Sequence, residues 1–429
     1  MIDRREFRKS FDDMQAQLLR RGTGVIDSDG PWGRARQLDV RQRELKTELE
    51  ALQAERNRVS KLIGRKKAQG EDAAMDLVAM QDVATRAKAL DSEAKAAEDA
   101  FATALLEIPN PPHESVPDGN DENDNIEMHR WGNPRQDAVP PHWEIGTALG
   151  ILDFEAGAKL AGSRFTVLRG TGSRLVRGLL QFMLDLHVDK HGCEEVWVPA
   201  IVNRKTMTGT GQLPKFSDDL YKLEDEDAFL IPTAEVPVTN LYQDMILDAD
   251  ALPIRHCAYT PCFRREAGSA GQDVRGMIRQ HQFDKVELVH LTRPAQVLDD
   301  LQTLTGHAEA VLQALELPYR VIELCAGDLG FSAQKTFDLE VWLPSQNTYR
   351  EISSCSSFGQ FQGRRAGIRY RDESGKPQAV ATLNGSGVAI GRCLVALLEN
   401  GWQADGSVLI PEALQPYVGG ISCIRSAER

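Results

Sequence analysis

Two runs of apolar residues that repeat every seven positions dominate the N-terminal quarter of the chain, and they restrict it to paired long helices. The first run has an aliphatic residue at each main position and a partly polar partner position: Leu38, Leu45, Leu52 and Val59, interleaved with Gln42, Leu49, Arg56 and Ile63. The second run is apolar at both positions: Met80, Ala87, Ala94, Phe101 and Ile108, interleaved with Val83, Leu90, Ala97 and Ala104. Apolar residues that repeat in this way form a stripe along one side of a helix, called the seam below, and predict two helices in coiled-coil contact.

Residues 64–72, GRKKAQGED, separate the two runs, and Gly64 and Gly70 disfavour a continuous helix through this segment. Two long helices joined by a short turn form an antiparallel hairpin. The second helix alone would reach roughly 50 Å at about 1.5 Å per residue. We therefore predict a helical arm over residues 1–108, a linker rich in Pro, Asn and Asp over 109–125, and a second domain over 126–429.

Basic residues without an intervening acidic residue occupy positions 56–67, next to the predicted turn: Arg56, Arg58, Lys61, Arg65, Lys66 and Lys67. The chain has a net charge of −13, so a nucleic acid would have to bind a local basic patch of this kind. Contacts to phosphates would supply affinity and register but would not read bases. A solvated tip without a partner is the alternative that these residues leave open.

The N-terminal segment MIDRREFRKS lacks the apolar core of a secretory signal, and no apolar run approaches the length of a membrane span. The seven cysteines are scattered without a CxxC pair, which argues against a zinc ribbon or a disulfide framework. We therefore expect reduced thiols, a cytoplasmic location, no membrane partner and no zinc.

Residues 259–289, YTPCFRREAGSAGQDVRGMIRQHQFDKVELV, have two β-prone ends and a glycine-rich loop between them. The loop carries three glycines and three arginines: Gly268, Gly271, Gly276, Arg264, Arg275 and Arg279. This pattern predicts an antiparallel hairpin whose arginines could hold phosphate oxygens through bidentate contacts. A surface hairpin with solvated charges is the alternative.

Two further segments hold acidic residues inside apolar patterns. In residues 229–242, FLIPTAEVPVTNLY, burial of Glu235 would require a cation or hydrogen-bond donors; an acidic residue favoured by a helix N-terminus is the alternative. Residues 336–354, TFDLEVWLPSQNTYREISS, predict strands that end with hard oxygen ligands of the kind Mg²⁺ prefers, unless these only cap a strand: Glu351, Ser353 and Ser354.

The sequence also predicts several helices and strands in the rest of the second domain. Residues 174–190 have the spacing of a buried helix, and residues 196–198 predict a short strand after it. Residues 382–420 contain a strand, a glycine turn and a predicted helix from Val388 to Leu398. Arg392 lies inside that helix among apolar neighbours, and a buried arginine requires an anionic partner.

Together these segments resemble the bacterial-type seryl-tRNA synthetase family, which belongs to the class II aminoacyl-tRNA synthetases. The string FRREAGSAGQDVRGMIRQHQFDKVEL at 263–288 is similar to the family's motif 2, FRxEAGSAGxDxRGxIRxHQFxKVEL, and TAE, NTYREISSCS and TLNGSGVAIGR also occur in the family's order. The resemblance covers roughly residues 110–420 closely and the arm by its architecture. The departures are Arg265, where many members have Ser, Thr208, where an aromatic residue is common, and Gly363, where Ala is usual.

The resemblance implies an α+β fold, with an antiparallel-sheet class II catalytic domain and an N-terminal antiparallel two-helix coiled-coil arm. It implies ATP-dependent attachment of L-serine to tRNA-Ser through a seryl-adenylate, with tRNA-Sec as a second acceptor where that tRNA is present. The implied cofactors are ATP and Mg²⁺. The implied assembly is a homodimer, with an interface at the helix and strand near residues 174–198.

The same resemblance implies the site residues. Arg264 and Arg392 would be the catalytic pair, holding the α-phosphate and the tail of ATP, and Mg²⁺ would bind at Glu351 and Ser354. The remaining ATP-binding residues would be Arg265, Glu266, Ile352 and Ser353. The serine site would comprise Thr233, Ala234, Glu235, Arg264, Glu287, Asn384 and Ser386. The six basic residues of positions 56–67 would contact tRNA.

Two other functions fit parts of this pattern. A paralogue that activates serine and passes it to a carrier protein would be expected to lack a long basic-tipped arm, which this chain has. An RNA-binding module without catalytic activity would be expected to lose the residues for ATP, yet Arg264, Glu266, Glu351 and Arg392 are all present.

Overall fold

The computed structural model of the chain describes residues 1–267 and 275–426. Gly268 and Gly271 of the predicted loop therefore lie outside the described residues. By the density of its internal contacts, the chain divides into two compact units. One is Ile2–Pro109, and the other is Asn110–Arg429 together with Met1.

The N-terminal unit is entirely helical in its regular elements, apart from one short 3₁₀ turn at Thr23–Val25. Its helices are α1 Arg4–Lys9, α2 Phe11–Leu19, α3 Pro31–Ala68 and α4 Ala74–Leu106. The long helices α3 and α4 pack against each other along the predicted seam, where Leu45, Val59, Ala87 and Phe101 are buried. The predicted coiled-coil hairpin is therefore confirmed.

The turn between these helices is shorter than the sequence predicts. Helix α3 continues through Gly64 to Ala68, so the prediction that the helix is interrupted at Gly64 is wrong. Ile63, next to Gly64, is buried with Val59 and Ala73 in a small apolar cluster at the far end of the hairpin. A glycine inside a helix costs only about 1 kcal/mol, and this packing outweighs that cost.

The opposite end of the hairpin is held by a larger apolar cluster. The ring of Phe7 lies 4.7 Å from the ring of Trp32 and 5.6 Å from that of Phe101, measured between ring centres. Leu18 and Leu105 are fully buried in the same cluster. The short helices α1 and α2 are thus part of the core of this unit rather than a loose extension.

The second unit is built on an eight-stranded sheet. Its order is β1-β10-β11-β12-β15-β9-β8-β4, and all neighbours are antiparallel except β4 and β8. The predicted antiparallel class II architecture is therefore confirmed. The strands of this unit are β1 Ile126–Trp131, β2 Leu152–Asp153, β3 Val167–Leu168, β4 Glu194–Glu195, β5 Ile201–Asn203, β6 Ala228–Leu230, β7 Ile246–Leu247, β8 Ile254–Phe263, β9 Gln282–Thr292, β10 Tyr319–Glu323, β11 Lys335–Leu343, β12 Thr348–Gly359, β13 Arg369–Arg371, β14 Pro377–Ala379, β15 Ala381–Ala389, β16 Val408–Leu409 and β17 Cys423–Ile424.

Helices cover the apolar side of this sheet, and the main core lies between them and the strands. The helices of this unit are α5 His142–Ala148, α6 Phe154–Ala161, α7 Thr171–Asp189, α8 Arg204–Thr210, α9 Glu235–Asn240, α10 Val297–Ala314, α11 Phe361–Ala366 and α12 Ile390–Gly401. In the described part of the chain, no helix is long and apolar enough to cross a membrane.

Two element boundaries differ from the sequence predictions. The strand expected at residues 196–198 lies instead at Glu194–Glu195, which pairs in parallel with His256 and Cys257. Helix α12 begins at Ile390 rather than Val388, because Val388 and Ala389 still belong to β15. In both cases pairing with a distant strand sets the boundary, and local sequence preference does not contain that information.

Candidate active site

A cavity of about 590 Å³ opens over β9, β12 and β15, and a second cavity of about 200 Å³ adjoins it. The two are lined in common by five polar or charged residues, Arg264, Glu266, Lys285, Glu351 and Ser386. The larger cavity also exposes the polar residues Thr233, Glu235, Glu287, Ser354 and Asn384. The smaller cavity adds Ile352 and Arg392. The structure thus brings together residues that are far apart in the sequence.

Strand geometry explains this convergence. Successive side chains of a strand point to opposite faces, so Lys285 and Glu287 of β9 share one face. The register of β15 places Ser386 opposite Glu287, and Asn384 lies two residues further along on the same side. Asn384 donates from Nδ2 to Oε1 of Glu287 over 3.0 Å.

Glu235 is the first residue of α9, and its side chain lies at the closed end of the larger cavity. Gln362 donates to its carboxylate over 2.5 Å and also bonds Thr382, which fixes the amide. Burial, helped by the charge of Glu287, raises the pKa of Glu235 to about 7, although Gln362, Lys285 and Arg264 oppose the shift. This carboxyl group is therefore poised to gain its charge when a cation enters.

Lys285 pairs with Glu287 and bonds Thr233, and the sequence did not lead us to expect it in the site. Its ammonium lies 2.6 Å from Oε2 of Glu287 and 3.0 Å from Oγ1 of Thr233. Its side chain is only 8% exposed, so the charge is held in place rather than solvated. The alternation of charged and apolar residues in FDKVEL could have revealed it, because Lys285 and Glu287 must share a face if Glu287 points inward.

The other end of the cavity is rich in arginine. The guanidinium of Arg264 lies 5.1 Å above the ring of Phe283, and its Nε donates to the carbonyl of Pro232 over 3.3 Å. These contacts position the side chain and leave it at the cavity surface. Glu266 forms an ion pair with Arg279 at 3.0 Å.

Arg392 is not the fully buried arginine that its apolar neighbours predicted. Its side chain is 26% exposed, because it lies at the first turn of α12 and extends along the rim of the smaller cavity. The acidic partner that the sequence required is Glu351, whose Oε2 lies 3.5 Å from Nη1 of Arg392. Its Nε also donates to the carbonyl of Ile278 over 3.3 Å.

Asp338 of β11 adds a third oxygen-rich group beside Glu351. It pairs with Ser354 across the strands, and Ser354 donates a hydrogen bond to it. Burial and the nearby charge of Glu351 hold the pKa of Asp338 well above its usual range, and its Oδ1 has no hydrogen-bond partner among the described residues. Two crowded acidic groups and a hydroxyl are a donor set that suits a hard divalent cation such as Mg²⁺.

Three residues assigned to the site do not line either cavity. Ala234 is fully buried behind Thr233 and Glu235. Ser353 is also buried, and its hydroxyl donates to the carbonyl of Ser386 over 2.6 Å, so it supports the site from behind. Arg265 is exposed at the hairpin, where its backbone N–H bonds the carbonyl of Asp219.

The six basic residues of positions 56–67 lie on α3 near its C-terminal end. Arg58 is bound to Glu55 at 2.6 Å and Lys66 to Asp76 at 2.6 Å. The other four are exposed and have no ion-pair partner in the described ranges: Arg56, Lys61, Arg65 and Lys67. The tip therefore presents four basic side chains that form no ion pair with the described residues.

Comparison with known proteins adds the family. Residues 1–112 match the seryl-tRNA synthetase N-terminal domain, and residues 221–401 match the class II tRNA synthetase core domain (G, H, P, S and T). The chain is 55% identical over 428 residues to the serine–tRNA ligase of Geobacter sulfurreducens, covering 99% of this chain and 100% of the relative. The chain belongs to the seryl-tRNA synthetase family. A relative from Nitratidesulfovibrio vulgaris, also named serine–tRNA ligase, is 58% identical over 90% of this chain and 92% of its own length.

Solved structures of the family have the same fold. The seryl-tRNA synthetase from Pyrococcus horikoshii, complexed with ATP, superposes with a TM-score of 0.94 at 35% identity and full coverage of both chains. The cytoplasmic serine–tRNA ligase of Naegleria fowleri, in complex with AMP, gives 0.84 at 29% identity, covering 97% of this chain and 95% of its own. A seryl-tRNA synthetase fold thus underlies the cavity described above.

Proposed function

We propose that this seryl-tRNA synthetase family member attaches L-serine to tRNA-Ser in two steps. A carboxylate oxygen of serine attacks the α-phosphorus of ATP, and the bond to the bridging oxygen of pyrophosphate breaks, which yields seryl-adenylate. A terminal ribose hydroxyl of the tRNA then attacks the carbonyl carbon, and AMP leaves. No nucleophile of the protein is needed, so catalysis rests on positioning and on stabilisation of charge.

Serine would bind at the closed end of the larger cavity. Its ammonium would face Glu235 and Thr233, and its hydroxyl or ammonium would face Glu287, with Asn384 and Ser386 bordering the side chain. Lys285 supports this assignment. Its own ammonium contacts both Glu287 and Thr233, which shows that these two side chains can bind a group of the charge and size of the serine ammonium. Ala234 would contribute by fixing the backbone between its neighbours.

ATP would lie across the arginine-rich end. Arg264 would hold the α-phosphate, Arg392 the tail, and Glu266 would face the adenine, with Arg265, Ile352 and Ser353 at or behind the nucleotide. Mg²⁺ would be held by Glu351 and Ser354, where Asp338 adds to the negative charge. When bound, the cation neutralises phosphate charge; the protein's own residues orient the triphosphate so that attack is in line.

The basic tip of the arm would contact the backbone of tRNA-Ser, and of tRNA-Sec where it is present. We further propose that the chain acts as a homodimer in the cytoplasm. Retention of both the arm and the ATP residues favours this function over a carrier-protein ligase and over a catalytically inactive RNA-binding module.

One observation carries the proposal most directly: Glu235, Lys285 and Glu287 line the same cavity as Arg264 and Glu351, and the adjoining smaller cavity adds Arg392, the ion-pair partner of Glu351. The test is serine-dependent exchange of labelled pyrophosphate into ATP, followed by charging of tRNA-Ser. Exchange with serine together with charging is the expected result. Exchange without charging would favour the carrier-protein function, and no exchange with any amino acid would exclude both enzymes.

A further inference from the structure

A group of sulfur and nitrogen ligands lies on the side of the sheet away from the cavity. Cys193 follows the end of α7, His290 is on β9 and His307 is on α10. One candidate ligand atom from each, the thiol sulfur or a ring nitrogen, lies within 4.8 Å of the other two. Lys285 and Glu287 differ from His290 by an odd number of positions on β9, so His290 points to the opposite face.

The ring nitrogens of this cluster lack partners. His290 is fully buried, yet neither its Nδ1 nor its Nε2 has a hydrogen bond among the described residues, and Nδ1 of His307 is also buried without a partner. Buried polar groups without a partner destabilise the folded state, and they are rare in folded proteins. A bound cation would accept the lone pairs that the protein leaves free.

The neighbouring histidines hold this arrangement in place. The ring of His191 stacks on that of His307, with 4.0 Å between ring centres and a 3° angle between the planes. His191 in turn shares a hydrogen bond of 2.9 Å with His187 through their Nδ1 atoms. The orientation of His307 is thus set before any ligand arrives, which lowers the entropic cost of binding.

The charged neighbour of this cluster also matters for a metal ion. His290 and His307 would bind a metal as neutral imidazoles. Arg255 also lies near these rings, but it is bound to Asp300 at 3.0 Å. Binding through the sulfur of Cys193 would release the thiol proton, and the thiolate would be the one negatively charged ligand of the three.

We propose that Cys193, His290 and His307 form a binding site for one borderline-soft divalent cation of the Zn²⁺ type. One thiolate and two imidazoles are a donor set typical of this ion. Such a site would revise the expectation of no zinc, which rested on the absence of a CxxC pair in the sequence. Zn–S and Zn–N bonds of about 2.3 and 2.0–2.1 Å place ligand atoms about 3.3–3.6 Å apart in a tetrahedron. The 4.8 Å limit is therefore met by side-chain movements of about an ångström. Because His307 is only partly buried, a water molecule can fill the fourth position.

The experiment is a titration of the chelator-treated full-length chain with Co²⁺, which substitutes for Zn²⁺ and reports its ligands by absorption. We expect one equivalent to bind, with thiolate-to-cobalt charge transfer in the near ultraviolet and tetrahedral bands in the visible, and Zn²⁺ to abolish both. Cys193→Ser should remove the charge-transfer band. His307→Asn, at the partly exposed ligand, should weaken binding by about 100-fold, since even residues that only support ligands contribute 10–100-fold.

Matched controls are Cys423→Ser, a half-buried cysteine outside the cluster, and His129→Asn, an exposed histidine bound to Glu309. Both should keep the spectrum of the parent. Thermal unfolding in chelator identifies any variant that does not fold, and His307→Asn keeps the test open if Cys193→Ser fails. The proposal is overturned if no stoichiometric cobalt spectrum forms, if the charge-transfer band survives in folded Cys193→Ser, or if folded His307→Asn binds like the parent.

Discussion

Glu235 and Glu287 line one end of the cavity together with Lys285, and burial and the charge of Glu287 raise the pKa of Glu235 to about 7. If Glu235 were ionised there, two carboxylates would face the single ammonium of Lys285. A second ammonium, brought by serine, would relieve this imbalance and favour the ionised form of Glu235. Binding of serine and loss of a proton from Glu235 should therefore be coupled.

This coupling predicts a pH dependence whose sign is fixed. Below pH about 7, Glu235 of the free enzyme is mostly neutral, so serine must bind with release of a proton. The kcat/KM for serine in pyrophosphate exchange should then fall as the pH falls, approaching tenfold per unit well below the pKa. Glu235→Gln should have lower activity and lack this acidic limb. An acidic limb of the same position in Glu235→Gln would assign the titration to another group.

Substitution of either arginine at the other end of the site is expected to slow the formation of seryl-adenylate. Arg264→Ala and Arg392→Ala should each lower serine-dependent exchange by about 10²–10³-fold, because removal of one donor to developing charge costs about 2.7–4 kcal/mol. Both arginines are partly exposed, so neither variant should lose much stability. Arg130→Ala, which breaks an exposed ion pair with Glu127, is the control and should leave exchange unchanged. Near-parental exchange in either test variant would remove that arginine from the ATP site.

Individual residues were predictable from the sequence where a long motif contains them. Glu235, Glu287 and Arg264 all line the cavity, because each lies in a string whose order and spacing are specific. Lys285 was missed, since a lysine in a strand is usually solvated and only the inward direction of Glu287 reveals that it is not. Cys193 and His290 could not be linked at all, because only the packing of α7 against the sheet brings them together.

The helices and strands were also predictable only in part: the sequence predicted the long helices but not where each element ends. The seven-residue repeat predicted α3 and α4, because a sustained apolar seam has no stable alternative to helix pairing. Their ends were less predictable: Ile63 packs against Ala73 and carries α3 past Gly64. The strand at Glu194–Glu195 was displaced for a related reason, since its hydrogen bonds come from β8, which is distant in sequence.

At the arm tip, the ion pairs divide six basic residues into two classes, and this division can be tested. Arg65→Ala with Lys67→Ala removes two charges that form no ion pair with the described residues, so tRNA binding should weaken and the slope of log affinity against log salt should fall by about 1–2. Arg41→Ala with Arg43→Ala, on the same helix, removes charges already paired with Glu93 and Asp39, and the slope should change little.

Filter binding of tRNA-Ser at several salt concentrations measures both double variants, and pyrophosphate exchange serves as the folding control. Equal slopes for the two variants would show that the tip is not a phosphate contact. A smaller slope for the Arg65 and Lys67 variant alone, with equal exchange, would assign these two charges to tRNA binding.

For the whole molecule, the two compact units suggest that the two half-reactions can be separated. Removal of all of residues 37–108 would be a poor test, because Phe101 and Leu105 pack against Phe7 and Trp32, and their loss would expose that cluster. The ion pair of Arg41 with Glu93 shows which residues of the two helices lie opposite each other. A shorter deletion can therefore remove matching lengths of both helices.

Deleting residues 49–87 and joining the stubs with a short glycine linker removes the basic tip but keeps the aromatic cluster and the Arg41–Glu93 pair. Because the described residues that line the two cavities all lie at or after Thr210, serine-dependent exchange should stay within about twofold of the parent. Charging of tRNA-Ser should fall by orders of magnitude, since the phosphate contacts that give most of the affinity are gone. Charging restored by raising the tRNA concentration would place the arm's effect in binding alone, whereas a shortened chain that charges as well as the parent at low tRNA would refute a role for the arm.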